Sequence, residues 1–273
     1  FDGNGFVVIN DPTQLSDLTQ FASSLNVTAH FTSASGSDVY LPAWQNLSNV
    51  DAIRVDAGVS VHLSSEQAAR FDGHITLADE TAHVFVGRNL YYDGTLSGNA
   101  GDGSQENPYT ADQVAELLTS DYNAGDTIRM QGGTLTATVT DLSGKNIKVD
   151  GAPTEAPSVV ATGGTNSDTV DLRGIMANLD LKSATFASGS SLPGYGNSFL
   201  AGGQTLTLQY AQMPSYQVLV DLGQSGYDGL TGNANLVIEG IQGANPSISK
   251  LSSGYVDVSG AVTAHIAANT SFG

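Results

Sequence analysis

Oxygen donors gather around glycines in one stretch of this chain, Asp93-Gly-Thr-Leu-Ser-Gly-Asn-Ala-Gly-Asp-Gly-Ser-Gln-Glu106. Asp93, Asn99, Asp102 and Glu106 offer carboxylate and amide oxygens, and the glycines let the backbone wrap so that carbonyls can join them. Hard cations such as calcium take about six to eight oxygens of this kind. These four residues are therefore the candidate metal ligands, and calcium is the cofactor they point to. The fixed spacing of an EF-hand is absent, as is a repeated calcium-binding nonapeptide. Phe1-Asp-Gly-Asn-Gly5 is a second, shorter stretch of similar composition.

Asp150, Asp171, Asp221 and Asp257 could do acid-base work, with Arg173, Lys145 and Lys148 as the nearby cations. Polysaccharide lyases need acids that hold calcium on the substrate carboxylate and a positioned base. Glycoside hydrolases need two carboxylates at a set separation. Here the acids recur along the chain instead of clustering, as a structural repeat would place them. No residue is assigned a catalytic role, and the expectation is a protein that is not an enzyme. The five histidines (His30, His62, His74, His83, His265) lack metal-ligand spacing, and no Gly-x-Ser-x-Gly elbow is present. Trp44, Tyr91 and Tyr92 read as core or interface anchors. Thr134, Thr136, Thr138 and Thr140 alternate as β-propensity alone would have them. Asn26, Asn46 and Asn269 head glycosylation sequons.

Composition narrows the partners. A net charge of −18, from 27 acids against 9 Lys and Arg, argues against nucleic acid and against anionic membrane surfaces. The absence of cysteine excludes disulfides, zinc-thiolate sites and thiol nucleophiles. No apolar run approaches the ~18 residues of a membrane span, so no membrane insertion is expected. The chain opens at Phe1 without a signal-like segment and reads as a processed or excised piece.

Three short helices and many short strands must position these groups. Asp11 with Pro12 heads an apolar stripe at Leu15, Leu18, Phe21, Ala22 and Leu25. Ser64 with Gln67, and Thr110 with Gln113, have capping-box spacing. Alternation marks strands at Val59–Leu63, His83–Val86, Leu135–Val139 and Leu206–Leu208, with glycine-rich turns between them. A β-branched residue, an acid and a nearby glycine recur at Val55-Asp56 with Gly58, Val149-Asp150 with Gly151, and Val170-Asp171 with Gly174. The pattern continues at Val220-Asp221 with Gly223, Ile238-Glu239 with Gly240, and Val256-Asp257 with Gly260. If such units stack, the branched residue points inward, the acid outward, and the glycine turns the corner, with neighbouring carboxylates ~4.8 Å apart in a row.

The order from Asn89 to Gly133, an aromatic strand, a Gly/Asn/Asp loop, a capped helix and then Gly125-Asp-Thr-Ile128, resembles the opening turn of right-handed parallel β-helix (pectate-lyase-like) domains of secreted bacterial proteins. The resemblance implies that loop and helix cap a solenoid whose first coil starts at the Gly-Asp-Thr-Ile strand. Leu47 to Gln67 is similar to a unit repeated in large bacterial surface-layer and adhesin proteins, present here in one clear copy. The expected fold is predominantly all-β: a mixed strand and short-helix region over residues 1–87, then a parallel β-solenoid over 88–273.

The function expected from that fold is assembly. The chain reads as an extracellular, cell-surface structural protein, a subunit of a surface layer, filament or adhesin stalk, whose partner is itself. Unpaired strand edges at coil ends invite continuation by another subunit. Val256 to Phe272 reads as strand without a closing helix, and Phe6–Ile9 as a strand available for donation to a neighbour. The alternative is a β-helix that binds or cleaves cell-surface polysaccharide.

Overall fold

A computed structural model describes residues 6–9, 26–41, 47, 50–151, 153, 156–165, 170–186, 196–200, 203–209, 216–220, 235–239 and 255–258. The chain is strand-rich, and the described strands pair in parallel. Its contacts divide it into two compact units, Phe1–Asn89 with Asn123–Thr127, and Leu90–Tyr122 with Ile128–Gly273.

In the first unit, successive strands alternate between two parallel sheets. One has the order β1 (Phe6–Ile9), β2 (Thr28–Phe31), β4 (Ala52–Val55), β6 (Ile75–Leu77), and the other β3 (Asp38–Tyr40), β5 (Ser60–Leu63), β7 (His83–Val86). Equivalent positions lie about two dozen residues apart: the Val27 amide meets the Asp51 carboxylate, and His62 meets Asp38, each across 24 residues. That interval suits parallel pairing, which needs a crossover of about a dozen residues or more. The pleat sends alternate side chains to opposite faces, and the sequence obeys it. Ala29, Ile53 and Ile75 form one inward column, Phe31, Val55 and Leu77 a second, and Val39, Val61 and Val84 a third. Phe31, Ile53, Val55, Val61 and Leu63 are fully buried among them. α1 (Ser65–Arg70) begins at the expected capping box: Ser64 Oγ accepts from the Gln67 amide at 3.2 Å and Gln67 Oε1 from the Ser64 amide at 2.9 Å.

Phe6–Ile9 is not a strand held out for a neighbour. It is β1, already paired in register with β2, and its Val7 packs against the core of its own chain. Parallel pairing is also not confined to the part after Asp126, as these two sheets precede it.

Three parallel sheets belong to the second unit. The five-stranded one runs β15 (Ile175–Met176), β12 (Asn146–Val149), β10 (Thr127–Gly132), β8 (Asn89–Asp93), β9 (Tyr109–Thr110). The six-stranded one runs β11 (Thr134–Thr138), β13 (Ser158–Thr165), β16 (Asn178–Phe186), β18 (Thr205–Gln209), β20 (Asn235–Glu239), β21 (Tyr255–Val258). The third is β14 (Val170–Asp171), β17 (Gly196–Leu200), β19 (Tyr216–Val220). Leu135, Val159, Leu179, Leu206 and Leu236 stand in register across the six-stranded sheet and are all buried. This column is the spine of the unit's core.

The helical segment after β9 runs through Ala111–Gln113, α2 (Val114–Glu116) and Leu117–Asp121, tightening and then loosening its winding. It buries Leu117 and Leu118, and α2 lies against β11. Of the second expected capping box, Gln113 Oε1 does accept from the Thr110 amide at 3.4 Å, whereas Thr110 Oγ1 also donates to the Gly98 carbonyl. Val139 opens α3 (Val139–Leu142) instead of closing the preceding strand, because Thr138 Oγ1 caps the Asp141 amide. The helix expected after Asp11 lies outside the described residues.

Tyr92 is buried, and its hydroxyl donates to the Thr134 carbonyl at 2.8 Å. Burial, with a smaller push from the Asp93 charge, raises its pKa to about 12. Between pH ~10 and ~12 the unfolded chain has lost this proton while the folded chain keeps it, so stability falls as pH rises through that window. Urea titrations from pH 9.5 to 11.5 should show this decline. Tyr92→Phe should flatten its slope by up to about 1.4 kcal/mol per pH unit; an unchanged slope would mean that other groups cause it.

Candidate functional site

The loop from Asp93 to Glu106 is stitched to itself and to the helix that follows. Asp93 Oδ1 accepts from the amide and hydroxyl of Thr95 at 2.9 and 2.6 Å. Asp102 Oδ1 accepts from the Ser104 amide at 2.9 Å. The Ser104 side chain and backbone, then Asn107, hold the fully exposed Asp102 carboxyl below its ordinary range. Gln113 reads Gly101 twice, accepting from its amide at 3.1 Å and donating to its carbonyl at 3.0 Å. Asp112 Oδ2 accepts from the Gly98 amide at 2.6 Å. Asn99 and Glu106 are exposed on the same loop. Two of the four candidate ligands thus serve as caps of their own turns. Among the described residues no group of three or more His, Asp or Glu side chains is gathered closely enough to hold a metal ion.

The acids of the recurring acid-glycine pattern do not form one outward row. Asp56 faces His30 Nε2 at 2.7 Å, Asp150 takes Arg129 Nη2 at 3.0 Å, and Asp171 takes Arg173 Nη2 at 2.5 Å. Asp150 follows a strand of the five-stranded sheet, whereas Asp171 lies in the three-stranded one and Asp257 in the six-stranded one. Asp257 stands in register with Val237, not with Glu239. The expected ~4.8 Å row is therefore replaced by acids on different sheets. Those for which side chains are described are each matched to a basic group; Asp221 lies outside the described residues. Among the described residues, glycines of the pattern lie in turns or against another backbone. Gly151 has φ +64°, and a Cβ on Gly174 would stand 2.2 Å from the Lys145 carbonyl oxygen.

The cations weighed for lyase chemistry are likewise occupied. Lys145 Nζ sits 4.4 Å above the Tyr122 ring, and burial holds its pKa below the ordinary lysine value. Tyr122 Oη accepts from the Asn146 amide at 3.0 Å. Lys148 is buried in β12. Asp150 and Asp171 are each engaged with an arginine, Arg129 and Arg173 respectively.

Three features were not foreseen. Asp126, within the Gly-Asp-Thr-Ile segment, is only 2% exposed and accepts from four donors. These are the Arg88 amide at 2.6 Å, Arg88 Nη2 at 2.7 Å, Arg88 Nε at 3.2 Å and the Asn123 amide at 2.9 Å. It pins the Asn123–Thr127 turn to the end of β7's strand path, where the Thr127 amide also meets the Arg88 carbonyl at 2.8 Å.

The second is a ladder of stacked rings on the outer face of β3, β5 and β7. Tyr40 and His62 are 4.2 Å apart between ring centroids, and His62 and Phe85 4.9 Å, with interplanar angles of 20° and 22°. The signal was present as Val39-Tyr-Leu41, Val61-His-Leu63 and Val84-Phe-Val86, three triplets with a ring between apolar residues. Along the ladder the ring faces pack on one another, and Tyr40 and Phe85 at its two ends are about half exposed.

The third is the end of the two sheets at β6 and β7. Leu77 and Val86 stand in register with the fully buried Val55 and Leu63, yet are 45% and 54% exposed. Phe85 beside them is 50% exposed. An inward position becomes exposed when no following strand covers it. A polar groove of about 580 Å³ lies elsewhere on the first unit, lined by residues including Asn26, Asp51, Arg70 and His74. Asp51 Oδ2 accepts from the Val27 amide there, and Arg70 Nη2 donates to the Val50 carbonyl.

No helix of the described residues is long and apolar enough to cross a membrane. Comparison of the chain with protein-family models, with curated proteins and with solved structures gave no match.

Proposed function

We propose that this chain is an extracellular, cell-surface structural protein whose parallel sheets are the faces of a stacked β-solenoid and which assembles with copies of itself. It would serve as a surface-layer, filament or adhesin-stalk subunit, without catalytic activity. The observation that carries this reading is the uncovered end at β6 and β7, where Leu77, Phe85 and Val86 lie beside strand edges that no described strand completes. Such an edge gains ladder hydrogen bonds and apolar burial when another strand is added. The engagement of Asp150 and Asp171 with arginines supports a scaffold over a hydrolase.

Charge opposes assembly. Copies carrying −18 each repel one another, so association requires counter-ions, and calcium at the acidic loops and surfaces is the cation proposed to supply them. Light scattering coupled to size exclusion, with negative-stain imaging, should show larger particles in millimolar calcium than in chelator. Val86→Asp should abolish them while circular dichroism stays unchanged. Strictly monomeric particles in both media would overturn the proposal. The polar groove favours the second reading, a β-helix protein that binds or cleaves polysaccharide. Uronate polymers incubated with the protein would yield unsaturated products if it cleaved them.

A further inference from the structure

We draw no further inference here: the strongest candidate, the apolar end of the first unit formed by Leu77, Phe85 and Val86 on β6 and β7, belongs to the surface on which the self-assembly proposal already rests, and nothing in the structure shows what covers it.

Discussion

Asp126→Ala is expected to lower unfolding free energy by about 3–5 kcal/mol, as read from urea denaturation followed by circular dichroism. The carboxylate is almost wholly buried and is the shared acceptor for two backbone amides, Arg88 and Asn123, besides the Arg88 guanidinium. Alanine leaves both amides without their acceptor, at about 1–3 kcal/mol each. The guanidinium adds less, because it is 53% exposed and regains water when its partner goes. Arg88→Gln should accordingly cost only about 1–2 kcal/mol, since the backbone amide of residue 88 keeps its acceptor. The order of the two variants is the sharp part of the expectation. Were Asp126→Ala to lie within 1 kcal/mol of the parent, the pin would be incidental to the turn.

Leu179→Ala should cost about 3–4 kcal/mol, near the middle of the range for emptying a packed leucine site. Leu179 is 1% exposed and stands in register between Val159 and Leu206, which are themselves held by Leu135 and Leu236 farther along the column. The backbone ladders on either side limit collapse around the void, so the cavity contribution adds to the lost transfer energy. Leu77→Ala offers the contrast. It is equally apolar and equally inward by register, but already half in water, and should cost below about 1 kcal/mol. Equal losses at the two positions would show that column membership, not burial, sets the stability.

The strands were legible because burial on alternate positions leaves a mark at every second residue. Val59–Leu63 and His83–Val86 were found as β5 and β7 on that basis, and Ser64 with Gln67 as a cap, since both patterns are local. The tertiary partners were not legible. Val149-Asp150-Gly151 and Val170-Asp171 look alike in sequence, yet one lies in the five-stranded sheet and one in the three-stranded sheet. A shared local motif specifies a strand followed by a corner, and says nothing of which face of the stack that strand joins. Asp126 shows the same limit from another side. Its role depends on Arg88, 38 residues away, which no local spacing reveals.

At the candidate ligands Asp93 and Asp102, the composition that suggests a metal site also suits self-capped turns. An aspartate followed two residues later by Thr or Ser can satisfy its own oxygen from that residue's amide, and both do. The stacked rings were legible in principle. Finding them required aligning the chain against itself at the interval of the paired strands, where Tyr40, His62 and Phe85 fall in one column.

Because β1, β2, β4 and β6 meet at equivalent positions, the length of this protein can change in whole steps at little cost. A chain in which Val27 ran directly into Ala52 would set β1 beside β4 with Val7 opposite Ile53, as Val7 now lies opposite Ala29. Gain or loss of one complete step would therefore leave the inward columns of this unit in register.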